Sequence, residues 1–287
     1  MKILKIGNIV IAIGAVLILA GALSANTMTL GIAKDTYVVG TGVENQWQNR
    51  GAFGEVQIGT HAPGWGELRG LLQFDTSSIP AGQTIQSATL RVYHYWDITY
   101  FNHSRPNATS IYRSLVGWDE KTDTSSGPGK LPGLDGNPDM CNFGFRMPGT
   151  GIPGIPWASG GVDDGFGNID YYGPLPDGSD FVATPTDTVD VYGGWNEGNF
   201  YFGWVEFNVT ADVAAWYSGA ATNNGWLMKG DEGLDGDVGL VWNFYSREDT
   251  SNPSLHPQLV VNYNIPEPMT MCLFGLGGLA LIRRKHA

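Results

Sequence analysis

Along most of this chain, apolar and polar residues alternate in short runs and do not recur at a helical interval. In SATLRVYHYW (87–96), Leu90 and Val92, with Trp96 in register, fall on one side, while Arg91, Tyr93 and Tyr95 fall on the other. That period of two is the mark of a strand with one buried face. RGLLQFD (69–75), WVEFNV (204–209), GLVWNFYS (239–246) and PQLVVNY (257–263) repeat the pattern, each bounded by Gly, Pro, Asn or Asp. Between Ala33 and Asn264 no long 3.6-residue apolar period occurs. One short helix is expected in TADVAAWYSG (210–219), with Thr210 as its N-cap and Gly219 as its stop. Short strands, frequent turns and almost no helix predict an all-β fold, a single antiparallel β-sandwich occupying 33–264. Trp96, Trp204 and Trp242 lie within these strands and are expected to pack the core.

The two ends follow different rules. Residues 1–25 carry Lys2 and Lys5, then no charge from Ile6 to Ala33, with small residues at Ala20, Gly21, Ala22, Ser24 and Ala25. This is the composition of a signal peptide, with cleavage expected after Ala22 or Ala25; an uncleaved anchor is the alternative. At the other end, Pro266, Glu267 and Pro268 precede the uncharged run Met269–Ile282, and Arg283, Arg284 and Lys285 follow it. Fourteen helical residues reach roughly 21 Å, short of a hydrocarbon core of about 30 Å, a gap that snorkelling arginines can close. Flanking cations place both ends on the cytoplasmic side and the body outside. A buried C-terminal core helix is the bland alternative. Gly275, Gly277, Gly278 and three consecutive cations speak against it.

The charge balance speaks against nucleic acid. The 287 residues carry a formal net charge of -12, and between Asn26 and Asn264 eleven Lys and Arg face 27 Asp and Glu. Such a surface repels phosphate backbones, so no nucleic-acid partner is expected. With 12% aromatics, 41 glycines and 16 prolines, the chain is too apolar for disorder and too turn-rich for a helical fold. Cys141 and Cys272 lie in unlike settings and predict neither a disulfide nor a metal site.

Two resemblances add to this reading. Residues 265–287, with Pro266-Glu267-Pro268, the apolar segment and the basic tail in order, resemble the PEP-CTERM sorting signal of bacterial exported proteins. That resemblance implies processing by an exosortase-type membrane protease, a membrane attachment through the termini before processing, and a cell-surface or extracellular destination. DTYV (35–38), RGLLQFDTSSIPAGQTIQSATLRVY (69–93), WVEFNVTADVAAW (204–216), NNGWLMKGDE (223–232) and FYSREDTSNPSLHPQLVVNY (244–263) together look like a DNRLRE domain. This secreted module is similar to disaggregatase-related domains and to alginate-binding carbohydrate-binding modules. The resemblance implies a jelly-roll-like sandwich that binds polysaccharide or is displayed, and does not catalyse. The chain departs from that pattern at 127–178, where fourteen glycines and eight prolines form a long insertion, expected as an ordered excursion over the sandwich.

Candidate chemistry concentrates near that insertion. Trp118, Trp157, Tyr171, Tyr172 and Trp195, among Asp163, Asp164 and Asp170, are the candidate sugar platform, because a pyranose needs a flat apolar face beside a fixed polar group. The other use for the loop tryptophans is to pin the loop to the sandwich. An acidic body holds an anionic polysaccharide only if Arg50, Arg69 and Arg91 gather locally or a divalent cation bridges; otherwise the ligand is neutral. Asp231, Asp235 and Asp237 on the turn GDEGLDGD (230–237) are candidate ligands for a structural Ca2+, though they lack EF-hand spacing and acidic turns are commonly just solvated. No cofactor is required. The five histidines form no motif, so an enzyme is not expected. The rival readings are a polysaccharide lyase or glycoside hydrolase with its site in 127–178, and a purely structural surface protein without ligand.

Overall fold

The computed structural model describes residues 25–40, 50–61, 66–99, 107–120, 145–147, 155–158, 162–163, 169–170, 174–192, 202–232 and 240–264. The strands in chain order are β1 (Ala25–Val39), β2 (Glu55–His61), β3 (Gly66–Phe74), β4 (Thr84–Thr99), β5 (Asn107–Arg113), β6 (Phe145–Met147) and β7 (Ile155–Pro156). They continue as β8 (Val162–Asp163), β9 (Ile169–Asp170), β10 (Asp187–Val191), β11 (Gly203–Asn208), β12 (Trp226–Lys229), β13 (Leu240–Tyr245) and β14 (Gln258–Asn264). One helix, α1 (Thr210–Tyr217), joins β11 to β12. The fold is all-β and sandwich-like, as the alternating runs predicted.

Every pairing is antiparallel, in the order β1-β14-β4-β13-β2-β3-β12-β5-β10, with β11 added on β4. Strand β1 serves both halves. Residues 25–31 pair with β14, and after a register shift between Ile32 and Lys34 the strand pairs with β3. Strand β2 reaches both β13 and β3, so the hydrogen-bonded path returns to β1. Among the described residues, pairing begins at Ala25.

The main core lies between the halves and includes Leu30, Tyr37, Ile58, Leu72, Phe74, Leu90, Val92, Phe207, Trp226, Trp242, Phe244 and Leu259. At Gly70 an added Cβ would sit 2.7 Å from Val56 Cγ1, so only glycine lets β3 approach β2 this closely. Helix α1 turns Val213 and Trp216 into the same core. Gly219, expected as the stop, follows its end at φ +75, in the left-handed conformation. Thr210 is not the cap. The N-cap is Val209 without a side-chain bond, and the Thr210 hydroxyl accepts the Ala88 N–H at 3.0 Å, tying the helix to β4.

The half formed by β3, β12 and the second part of β1 is buried on both faces. Runs 35–39, 68–72 and 226–228 are buried at every position, so RGLLQFD, read as a strand with one buried face, is instead covered on both. Covering the outer face is a second cluster of Val38, Leu71, Leu227, Trp118, Trp157 and Phe181. Of the 127–178 segment, Trp157 packs on this face. The segment is fastened there by the Ala158 N–H on Asp180 Oδ2 and by an Arg69 guanidinium donating to the Pro174 carbonyl at 3.2 Å.

Candidate functional site

The outer face of β11, β4 and β13 carries a row of rings. On β4 the buried positions are Ala88, Leu90, Val92 and His94, then Asp97. The change of parity comes from a bulge: Asn243 pairs with Trp96 but the next residue, Phe244, pairs with His94, leaving Tyr95 as the extra residue. Tyr95 and Trp96 consequently both leave the core, and Trp96 is 51% exposed. This corrects the expectation that Trp96 packs inside with Leu90 and Val92. Trp242 is in the core as expected, while Trp204 is only half-buried on the outer face.

On that face Trp204 stands directly across from Tyr93, and Glu206 across from Arg91. The Tyr93 and Trp204 rings meet edge-on at 5.3 Å, and Tyr93 continues to Tyr245 at 6.0 Å. Tyr245 in turn stacks on Tyr95 at 4.1 Å with an interplanar angle of 11°. Polar groups are fixed along both sides. The Arg91 guanidinium lies 4.4 Å from the Trp204 ring centre and donates to Glu206 Oε1 at 2.9 Å. Tyr95 Oη donates to Glu55 Oε2 at 2.7 Å. Burial and that carboxylate push the Tyr95 phenol well up, and burial together with Asp249 raises Tyr245. Both therefore remain hydroxyl donors at neutral pH. The result is a strip of half-exposed rings beside a guanidinium and two carboxylates, on rigid strands.

The residues that the sequence put forward as a sugar platform are placed differently. Trp118 is buried, donates its indole N–H to the Asn224 carbonyl at 2.9 Å, and lies under Lys34 at 5.5 Å. Trp157 is fully buried against Phe181, at 5.5 Å. Neither ring offers a face to a sugar, because both pack with Phe181 against Val38, Leu71 and Leu227. Tyr171, Tyr172 and Trp195 lie outside the described residues, as do Asp235, Asp237, residues 1–24 and the tail with Pro266, Glu267, Pro268, Arg283 and Arg284. Asp231 is exposed, its N–H donating to Asn107 Oδ1 at 2.7 Å. Its neighbour Glu232 is occupied by Arg69 at 2.7 Å and Lys229 at 2.8 Å.

The arginines do not act as a shared anion site. Arg69 is buried and paired with Glu232, Arg91 is held by Glu206, and Arg50 lies over the Phe53 ring at 4.7 Å. The aromatic strip was half legible: Arg91, Tyr93 and Tyr95 on one side of β4 were visible, but their neighbours Trp204 and Tyr245 come from strands more than a hundred residues away. Among the described residues no helix is long and apolar enough to cross a membrane. No protein-family model matches the chain, and no curated protein matches it.

Proposed function

We propose that this is a non-catalytic, exported surface or matrix protein that holds extracellular polysaccharide on the aromatic strip of β11, β4 and β13. The observation that carries the proposal is the continuous run Trp204–Tyr93–Tyr245–Tyr95 flanked by Arg91, Glu206 and Glu55. Ring faces desolvate the C–H side of a pyranose while the charged groups take its hydroxyls. With Arg91 and Arg69 already neutralised by carboxylates, a neutral glycan suits the strip better than an anionic one. The resemblance to DNRLRE domains agrees with a binding role.

Export rests on the signal-like first 25 residues and the PEP-CTERM-like tail, handled by an exosortase-type protease. The register supports a common attachment: Ala25 pairs with Asn264, so both flanking segments leave the sheet at one place. A body tethered there at both ends can meet one membrane without crossing its own sheet.

A glycan array with the purified protein tests the binding. Trp204→Ala and Tyr245→Ala are expected to weaken retention about tenfold or more, equivalent to about 1.4 kcal/mol. Equal retention by both variants, or none by the wild type on any neutral glycan, defeats the proposal. Release of reducing ends from a bound glycan would replace it with the lyase or hydrolase reading.

A further inference from the structure

Three carboxylates from distant parts of the chain meet at the end of the sandwich where β1 changes partners. Asp35 comes from β1, Glu120 from the segment after β5, and Glu248 from the turn after β13. One oxygen from each lies within 4.8 Å of the others. In a Ca2+ shell with oxygens at 2.3–2.6 Å, opposite ligands are about 4.8 Å apart, so one ion can touch all three.

Their orientation is fixed by hydrogen bonds that use only part of the available oxygens. The Asp35 N–H donates to Glu120 Oε1 at 2.8 Å, and the Arg247 N–H donates to Asp35 Oδ2 at 2.8 Å. The Arg247 guanidinium donates to Glu120 Oε2 at 2.7 Å, to Glu248 Oε1 at 2.9 Å and to the Ala33 carbonyl. Asp35 is 1% exposed, and no amide, hydroxyl or cationic donor reaches its Oδ1 or the equally enclosed Oε2 of Glu248; the two carboxyl groups meet each other instead. A buried carboxylate oxygen left without a donor is costly, and here two face one another. One guanidinium faces three carboxyl groups, an excess of acidic oxygens that a divalent cation can offset.

We infer that Asp35, Glu120 and Glu248 form an oxygen-only divalent-cation site suited to Ca2+, with Arg247 positioning the ligands. Calcium fits better than magnesium because the three ligands come from a strand, a loop segment and a turn, and Mg2+ demands a near-ideal octahedron. The ion would tie the start of the β3-paired part of β1 to the segment after β5 and to the 246–249 turn that follows Tyr245. This site is separate from the acidic turn at Asp231, Asp235 and Asp237, and it does not depend on glycan binding.

The test uses the full-length protein, stripped with EDTA and titrated with CaCl2 by calorimetry and thermal unfolding. One Ca2+ per chain is expected, with a melting temperature raised by about 5–10 °C at a hundredfold excess over Kd. Asp35→Asn and Glu248→Gln should each remove that rise, whereas a triple Asn variant at Asp231, Asp235 and Asp237 should retain it. Glu248 is the less buried ligand, so its variant is expected to fold even if that of Asp35 does not. A wild type with no binding heat and no thermal shift at millimolar Ca2+ overturns the inference. So does a shift that survives Glu248→Gln, or one lost only in the triple variant.

Discussion

Trp157 and Trp96 show how far one residue type can diverge with its cover. Trp157 has no exposed surface and fills the cluster beneath the insertion, whereas Trp96 is half in solvent. Trp157→Ala should cost about 3–5 kcal/mol in urea unfolding, and Trp96→Ala should stay within about 0.5 kcal/mol. A Trp157 loss below 1 kcal/mol would mean that the insertion is not fastened there. Glu120 gives a pH signature. Burial outweighs the Asp35 N–H and the Arg247 guanidinium and pushes its carboxyl up to about 7, while burial and Glu248 also raise Asp35. Between the ordinary value of 4.5 and about 7 the folded protein holds more protons than the unfolded chain. Stability in EDTA should therefore be fully supported below pH 4.5 and decline as pH rises towards 7. Urea midpoints measured from pH 5 to 8 should fall for the wild type and vary less for Glu120→Gln. Parallel profiles would contradict this account.

Elements are joined by side chains whose purpose appears only between them. Asp212 in α1 accepts the Trp226 indole N–H at 2.8 Å and the Thr186 hydroxyl at 2.6 Å, and it pairs with Arg113 at 3.3 Å. One carboxylate thus fastens the helix to β12, to β5 and to the approach to β10. Asp212→Ala leaves a half-buried guanidinium and a buried indole N–H without it, and should cost about 3–5 kcal/mol by urea denaturation. A loss under 1 kcal/mol would show that the helix is held by apolar contact alone. The bulge at Tyr95 is the second such device. By inserting one residue opposite the Asn243–Phe244 step, it turns two aromatic side chains outward in succession. Tyr95 stacks on Tyr245 as a result, which extends the ring strip across the sheet.

At the scale of the whole molecule the two sheet faces have opposite fates. Trp157 of the insertion, with Trp118 and Phe181 on either side of it in the chain, covers the outer face of β1, β3 and β12, so that half is buried on both sides. The strip on β11, β4 and β13 keeps half-exposed rings. Both flanking segments depart from the Ala25–Asn264 pair, the common end of β1 and β14. Cover on one face leaves the ring-bearing face as the open one, which is the face the proposed glycan binding uses.

Period-two alternation gave β4, β11, β13 and β14, and located β3, because a strand's side chains point to opposite faces whatever lies beyond them. The stop at Gly219 was legible for a similar reason, since a left-handed backbone conformation is a local demand. The acidic balance of the body was likewise fixed by composition. Which face is covered is not a local property. Trp118 and Trp157 were read as a possible sugar platform, and their burial depends on a sheet built from β1, β3 and β12. Trp96 changes sides because β13 supplies one residue where β4 supplies two. Asp35 and Glu120 are 85 positions apart, and Arg247 lies 127 beyond Glu120. Only strand pairing across such separations could bring those charges together, because alternation sets a residue's direction and not its neighbours.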